Sequence, residues 1–322
     1  MPDLLIPVAL AATLVAFLWG LLVGSFANVV IHRLPLEQSI VFPSSRCPRC
    51  GAAIRPWQNI PVVSWLMLRG RCASCREPIS IRYPAVELLH GAGFGLMVWT
   101  FGPQPFTLLL LLFFFALVVL ALIDWDHQIL PDVITLPGIL VGIAGTLLPG
   151  ALIDWREAGL AAGLGYVAFF LVAQGYARLR GIEGLGQGDW KLAAMMGSFL
   201  GGQRLMLTVF LASLSGVIYG LVQAMRLRRE AAQLPVAPPV AESSPAASPI
   251  VPSPEAPVSP VGNAAPTGTD PAMAEPSPEA QAHPVSIGKY KLPFGTFLAA
   301  SAIFVLFCGD PVLEWYASLF RF

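Results

Sequence analysis

Eight apolar stretches constrain the fold of this chain more than any other feature of the sequence. A helix needs about 20 apolar residues to cross the hydrocarbon core of a bilayer. Charged residues make up only 12% of the chain, against about 25% in soluble domains. The sequence therefore predicts an all-α membrane protein with about eight transmembrane helices. The stretches are Leu4–Ile31, Ala85–Phe101, Phe106–Ile123, Val133–Leu148, Ala158–Ala177, Leu192–Gly201, Leu205–Met225 and Phe294–Phe307.

Two of these stretches depart from the average length. The first is longer than the apolar core of a signal peptide, which is about 7–15 residues, and no basic residue precedes it, so we expect a retained span. The sixth, Leu192–Gly201, is short for a crossing and predicts a half-helix or a tilted segment.

Basic residues alternate between the loops. Arginines are abundant between spans one and two and recur after spans five and seven, whereas the other loops hold Arg156 and Arg204 alone. Because basic loops stay on the cytoplasmic side of the membrane, we expect these loops in the cytoplasm and both termini in the periplasm of a bacterial inner membrane. The formal net charge is zero, which argues against a nucleic-acid partner.

A change of composition divides the chain near its C-terminus. Between Leu234 and Val285 lie 14 of the 30 prolines and no lysine or arginine, which predicts extended, solvated chain. This linker is an inert spacer or, alternatively, a proline-rich ligand for a partner. The predicted divisions are a first helix (1–31), a small cytoplasmic segment (32–84), a membrane core (85–230), the linker (231–288) and a last helix with the C-terminus (289–322).

Four of the five cysteines lie in the segment 32–84. Cys47 and Cys50 form one C-x-x-C pair, Cys72 and Cys75 form another, and 21 residues separate the pairs. Two such pairs are the usual ligands of a tetrahedral zinc site, which stabilises a short segment that has little core. We predict a zinc-ribbon-like segment whose zinc is structural, because four thiolates leave no position for water. Unpaired or redox-active thiols are the alternative.

The third apolar stretch ends at an acidic residue. Asp124 lies about one turn inside the end of this stretch, where a carboxylate costs a few kcal/mol and is a functional candidate by default. Asp126 and Asp132 lie further into the loop, and Asp132 fits the first turn of the next helix. With His127, they could also form a plain solvated loop.

A second acidic residue follows a glycine-rich run. Asp189 closes the sequence Gly-Leu-Gly-Gln-Gly-Asp at the predicted cytoplasmic start of the sixth stretch. The topology places Asp124 and Asp189 at the same membrane depth, so the two carboxyl groups can meet. Two adjacent carboxyl groups share one proton, and such a pair can activate water for peptide hydrolysis without a metal. A proton-coupled transporter, in which Asp124 pairs with Lys191 or an arginine, is the competing interpretation of these residues.

The ordered motifs of the chain resemble those of the bacterial type IV prepilin peptidases, the leader peptidase/N-methyltransferases of the GxGD aspartyl class. The resemblance covers nearly the whole chain apart from the proline-rich linker. The motifs are Gly24–Pro35, the two cysteine pairs with Asn59–Leu66 and Leu68–Arg71 between them, Ile81–Glu87, Asp124–Asp132, Gly186–Lys191, Leu292–Gly295 and Gly309–Asp310.

This resemblance implies a function. Asp124 and Asp189 would be the catalytic pair of an enzyme that removes the basic leader of type IV prepilins or type II secretion pseudopilins. The cut would follow a glycine on the cytoplasmic side, and the same protein would methylate the new N-terminus with S-adenosylmethionine. A presenilin-like GxGD protease, which cuts within a span, is a further alternative. The sequence has no glycine-rich Rossmann loop, so the methyl-donor site must be of another design.

Five further residues are candidates for positioning the substrate. They are Asn28, Arg33, Arg82, Glu87 and Lys191, of which Lys191 is two residues from Asp189. For Arg33 and Arg82 the alternative is that they only anchor the ends of spans at the lipid headgroups.

Overall fold

The computed structural model describes residues 2–181, 186–233 and 292–319, and all the regular elements in these ranges are helices. The predicted all-α fold is therefore confirmed. Two short 3-10 turns, Leu34–Leu36 and Pro56–Gln58, lie between the first and third helices. The helices are α1 (Pro2–Arg33), α2 (Val63–Met67), α3 (Arg82–Phe101), α4 (Pro105–His127), α5 (Asp132–Gly145), α6 (Trp155–Arg180), α7 (Gln187–Gln233) and α8 (Phe294–Ser318).

Each of the eight predicted apolar stretches lies within one of these helices or extends a few residues past its end. Among the described residues, five helices are both long and apolar enough to cross a membrane: α1, α4, α6, α7 and α8. Helix α5 is apolar but has only 14 residues. The chain is thus a multi-pass membrane protein, and the count of eight crossings stays a prediction.

The sixth and seventh stretches are joined in α7, which breaks at Gly201. This residue has φ 78° and ψ 175°, a conformation that a glycine adopts readily because it has no Cβ. The part before the break, residues 187–200, is about 21 Å long at 1.5 Å per residue. It is shorter than a bilayer core of about 30 Å, as the sequence predicted. Just after the break, Arg204 donates hydrogen bonds of 2.8 and 2.9 Å to Asp310 of α8.

The core surrounds α4. Leu110, Phe113 and Leu117 of this helix are at most 2% exposed. The ring of Phe113 stacks on Phe199 of α7 with centroids 4.2 Å apart. Helix α8 contributes Leu298 to the same apolar cluster. Because α4 is enclosed by other helices, the carboxyl group that it carries near its end is also removed from lipid and bulk water.

Helices α1 and α3 approach closely through two glycines of α1. A Cβ on Gly20 would lie 2.5 Å from the carbonyl oxygen of His90, and one on Gly24 would lie 2.6 Å from Cα of Glu87. The two glycines are four residues apart, the small-xxx-small spacing that lets membrane helices pack backbone to backbone. Our sequence interpretation missed this contact, although the spacing itself was its signal.

Replacing Gly24 with leucine is expected to destabilise the protein by about 1–3 kcal/mol, because the side chain has no space between α1 and α3. Thermal unfolding of the purified protein in detergent measures the effect. The matched control is Leu22→Ala on the exposed side of the same helix, where Leu22 is 54% exposed. Equal melting temperatures for the Gly24→Leu variant and the wild type would contradict the packing described here.

Internal contacts divide the chain into two units. The first comprises Met1–Ala224 and Lys291–Phe322 and holds α1 to α6, most of α7, and α8. The second comprises Met225–Tyr290, of which the structure describes the end of α7. The predicted proline-rich linker, 231–288, lies outside the described residues except for 231–233, which belong to α7. Its extended character therefore stays a prediction.

Candidate active site and cysteine cluster

Asp124 lies in the last turn of α4. The helix ends at His127 because Gln128 adopts the left-handed conformation, with φ 55°, and its N–H donates back to the carbonyl oxygen of Asp124 at 2.9 Å. The Asp124 residue is only 5% exposed. The predicted position, about one turn inside the end of the stretch, is confirmed.

The carboxylate of Asp124 is held by Thr296 of α8. Its Oδ2 accepts a 2.7 Å hydrogen bond from the Thr296 backbone N–H. The Thr296 hydroxyl lies 3.0 Å from the same oxygen and 2.9 Å from the carbonyl oxygen of Ala121, so its one proton is shared between two acceptors. A Cβ on Gly295 would lie 3.1 Å from Cγ of Asp124, which explains a glycine at that position. Thr296 was not among the predicted site residues; only the adjoining Leu292–Gly295 motif pointed to this region.

Asp189 lies in the first turn of α7 and is 7% exposed. Its Oδ2 accepts a 3.0 Å hydrogen bond from the backbone N–H of Gly186, the residue before the helix. The Asp189 and Asp124 carboxyl groups are close enough to interact electrostatically. The structure therefore brings the two predicted aspartates together.

Leu130 packs against Gly188 and Gly295, two glycines near the aspartates. A Cβ on Gly188 would lie 2.5 Å from Cβ of Leu130, and one on Gly295 would lie 2.9 Å from its Cδ1. The side chain thus fills the space between the start of α7 and the start of α8. Both glycines allow this apolar side chain to approach because a larger residue at either position would clash with it.

Removing the Thr296 hydroxyl tests its role beside Asp124. We expect Thr296→Val to lower the rate of the peptide cleavage that the sequence motifs imply about five- to tenfold. The variant loses one hydrogen bond to Asp124, worth about 1–1.5 kcal/mol, while the backbone N–H of residue 296 still donates to this carboxylate. The measurement is the initial rate at saturating substrate. Thr296→Ser keeps the hydroxyl and should stay within about twofold of the wild type; equal losses in both variants would assign the effect to packing.

Two ion pairs lie near Asp124 and Asp189, and they pair the nearby cations Lys191 and Arg82 with other acidic residues. Lys191 Nζ lies 2.7 Å from both carboxylate oxygens of Asp132. Arg82 lies 2.6 Å from Oδ2 of Asp126. Asp126 and Asp132 are therefore paired rather than part of a plain solvated loop. The alternative that Asp124 pairs with Lys191 is wrong, because Lys191 binds Asp132.

The cysteine pairs share one local conformation. The N–H of the fifth residue donates to the carbonyl oxygen of the first cysteine in each pair, from Gly51 to Cys47 at 2.9 Å and from Arg76 to Cys72 at 3.1 Å. Gly51 and Arg76 both have positive φ, 69° and 61°. These tight turns present the two sulfurs of each pair on the same side.

The four sulfur atoms of Cys47, Cys50, Cys72 and Cys75 lie within 4.8 Å of one another. The Sγ atoms of Cys47 and Cys75 are 3.8 Å apart. Zinc–sulfur bonds of about 2.3 Å in a tetrahedral site place the sulfurs roughly 3.8 Å apart. The cluster is therefore compact enough to hold a tetrahedral metal ion.

Backbone hydrogen bonds favour the thiolate at two of these cysteines, whereas at Cys75, against the hydrogen bond from the Glu77 N–H, burial and the neighbouring thiols raise the pKa to about 12. The N–H groups of Cys75 and Ser74 lower the pKa of Cys72 to about 6. The N–H groups of Cys50 and Arg49 lower the pKa of Cys47 as well. Because the thiolate is the form that binds metals, the backbone prepares these two ligands.

Three of the predicted positioning residues lie around a cavity of about 430 Å³, between the cysteine segment and the adjoining ends of α1 and α3. Asn28 donates to the carbonyl oxygen of Tyr83 at 3.1 Å. Arg33 donates to the carbonyl oxygens of Ser39 and Pro43 at 3.0 and 2.8 Å. Arg33 thus anchors the backbone that follows α1.

Glu87 is the third of these residues and is 8% exposed. Its Oε2 accepts a 2.7 Å hydrogen bond from the N–H of Val62, a β-branched residue with an unusual positive φ of 60°. The bond ties the loop before α2 to the first turns of α3.

The fold and the site define a class of protein: a helical, multi-pass membrane protein with two buried carboxyl groups close enough to interact at helix ends, and a separate four-cysteine cluster. Residues 18–101 match the bacterial peptidase A24 N-terminal domain, and residues 111–221 match the type IV leader peptidase family. The chain belongs to the type IV leader peptidase family. The resemblance stated from the sequence motifs is thereby confirmed.

Curated relatives carry the name prepilin leader peptidase/N-methyltransferase. That of Pseudomonas aeruginosa is 40% identical over 257 residues, which cover 73% of this chain and 88% of the relative. That of Neisseria gonorrhoeae is 42% identical over 246 residues, 69% of this chain and 85% of the relative. That of Myxococcus xanthus is 44% identical over 217 residues, 66% of this chain and 63% of the relative. No solved structure matches the chain.

Proposed function

We propose that this protein is a membrane-embedded aspartyl peptidase that removes the leader of type IV prepilins or type II secretion pseudopilins and methylates the new N-terminus. The observation that carries the peptidase is the buried pair of Asp124 and Asp189, which interact electrostatically at the ends of α4 and α7. Membership of the type IV leader peptidase family favours this function over a transporter that uses the same carboxyl groups.

In this mechanism the two carboxyl groups share one proton. The ionised group takes a proton from a water molecule, and the resulting nucleophile attacks the scissile carbonyl carbon. The protonated group donates to the carbonyl oxygen as negative charge develops there. Thr296 fixes the orientation of Asp124, and the Gly186 N–H fixes that of Asp189. Because the pair titrates as a unit, neither aspartate is assigned as the base.

The position of the pair suits a prepilin substrate. An apolar helical segment in the membrane and a basic leader outside it meet at the level of the membrane surface, where backbone can unwind without being stranded in lipid. We infer that this surface is the cytoplasmic face of the inner membrane and that both termini are periplasmic, since the predicted topology puts the arginine-rich loops on the same side as the aspartates.

The cysteine segment, within 32–84, has a structural role in this proposal. Its four sulfurs would hold a zinc ion and leave no position for water, and the bound ion would organise a segment that has few buried apolar residues. The methyl group for the second reaction comes from S-adenosylmethionine. Residues 85–230 carry the peptidase core, and the linker 231–288 lies apart from it in sequence.

The test is incubation of the purified protein with a synthetic prepilin N-terminal peptide and S-adenosylmethionine, followed by mass spectrometry. We expect a single cut after the glycine that ends the leader, and a product heavier by one methyl group only when the donor is present. A cut within the apolar segment would instead indicate a presenilin-like protease, and an intact peptide would contradict the proposal.

A further inference from the structure

We propose that the two ion pairs beside the active site are clamps that fix the distance and orientation between its two aspartates. The first clamp joins Arg82 of α3 to Asp126 of α4, and the second joins Lys191 of α7 to Asp132 of α5. The inference rests on the proposed function. It makes these four side chains positioning residues that act on the aspartates rather than on the substrate.

Both aspartates lie in terminal turns, the parts of a helix that open most easily. Asp124 is in the last turn of α4, directly before Gln128 takes the left-handed conformation. Asp189 is in the first turn of α7, after a run that contains Gly186 and Gly188. Because a displacement of about 1 Å in an active site can lower a rate about 100-fold, we infer that these turns need support from neighbouring helices.

Each clamp holds its turn from the side opposite the aspartate. Helical residues are about 100° apart around the axis, so a residue two positions further on lies about 200° away. Asp126 stands in this relation to Asp124, and Lys191 stands in it to Asp189. The clamps therefore tie each turn to another helix and leave the side that carries the aspartate free for the pair.

The first clamp is anchored at the end of the cysteine segment. Arg82 is the first residue of α3, and its backbone N–H donates to the hydroxyl of Ser80 at 3.2 Å. Just before this serine, the N–H of Ile79 donates to the carbonyl oxygen of Gly70 at 2.7 Å. The Arg82 nitrogen that lies 2.6 Å from Asp126 is itself buried, so it is not available to a lipid headgroup.

The second clamp ties the start of α7 to the start of α5. Lys191 Nζ lies 2.7 Å from both carboxylate oxygens of Asp132, and the lysine side chain is only 20% exposed. Asp132 lies in the first turn of α5, where the helix dipole stabilises its negative charge. Because the ammonium group is largely shielded from water, salt screens this pair less than a fully exposed one.

Steady-state kinetics of prepilin-peptide cleavage tests the clamps. We expect Asp126→Asn and Lys191→Met each to lower kcat about 10- to 100-fold and to leave KM within about twofold, because the aspartates move while the substrate contacts remain. Asp126→Glu and Lys191→Arg keep the charges and should stay within about threefold of the wild-type kcat.

The matched control is Asp310→Asn, which breaks another ion pair between helices. Arg204 and Asp310 are 19% and 59% exposed, close to the 20% and 54% of Lys191 and Asp132. Its loss should leave kcat within about twofold, because an ion pair away from the aspartates contributes little beyond stability.

The pH profile of kcat separates positioning from a merely structural effect. Two carboxyl groups held close together share a proton over a wide range of pH, so this range should narrow when a clamp is broken. A smaller folded fraction would instead lower kcat by the same factor at every pH. Wild-type kcat in both Asp126→Asn and Lys191→Met, or a reduced kcat with the profile of the wild type, would overturn the inference.

Hydrogen–deuterium exchange of the full-length proteins in nanodiscs tests the clamps without a substrate. Exchange should be faster within 121–128 in Asp126→Asn and within 186–195 in Lys191→Met, with 298–306 of α8 unchanged in both. Wild-type exchange in the two variants would overturn the clamps. A wild-type protein that leaves the prepilin peptide intact would reject the proposed function, and the exchange rates would still decide on the clamps.

Discussion

Replacing Asp189 or Asp124 with asparagine is expected to reduce leader cleavage by about 100- to 10,000-fold, the usual contribution of a general acid or base. Asparagine keeps the size of the side chain but neither ionises nor carries the acid proton. It can still accept the hydrogen bonds from Gly186 or Thr296, so the helix ends should stay in place. The measurement is the initial rate of peptide cleavage, followed by mass spectrometry.

The double variant adds a sharper criterion. Because the two carboxyl groups act as a unit, Asp124→Asn with Asp189→Asn should be little slower than either single variant. Asp310→Asn is the matched control: this aspartate binds Arg204 at 2.8 Å, away from the pair, and its loss should leave the rate within about twofold. Retention of more than a tenth of the wild-type rate in either single variant would reject that aspartate as catalytic.

Removing one ligand of the cysteine cluster should release the metal and unfold the segment around it. Structural zinc sites contribute about 10–16 kcal/mol of apparent binding free energy in small domains, far more than the few buried apolar residues of this segment can replace. We expect Cys72→Ser to lose stoichiometric zinc, measured by elemental analysis, and to become sensitive to limited proteolysis within residues 32–84.

Cys308→Ser is the control for this experiment, since Cys308 lies in α8 and is not a member of the cluster. It should keep the zinc content and protease resistance of the wild type. Wild-type protein purified without any bound zinc, or a Cys72→Ser variant that keeps one zinc per chain, would contradict the assignment.

Much of the fold could be predicted because the apolar stretches of the chain are long enough to lie in a membrane. Apolar stretches of helical length leave the backbone no alternative to internal hydrogen bonding, so the all-α class followed from hydropathy alone. A short helical segment was also anticipated at the sixth stretch, Leu192–Gly201, although only the structure located the break at Gly201. The count of eight crossings stays a prediction, since five of the described helices meet the length and hydropathy of a span.

The site was predicted in part. A carboxylate at the end of an apolar run is costly enough to stand out, which identified Asp124, and two C-x-x-C pairs identified the four cysteines that cluster in the structure. Thr296 was missed because a threonine in an apolar helix carries no such cost and gives no signal. The ion-pair partners of Lys191 and Arg82 could not be predicted either, since several acidic residues lay at suitable positions in the sequence.

By itself, then, the sequence determined the helical class, the acidic residues, the cysteine pairs and the family, because each depends on local composition or ordered motifs. Only the tertiary structure decided which groups meet: Asp124 with Asp189 and Thr296, Asp132 with Lys191, and Glu87 with the wall of a cavity. The physical reason is that these contacts join residues from different helices. Their pairing depends on how α1, α3, α4, α7 and α8 pack, through glycines such as Gly24 and Gly295 that permit close approach.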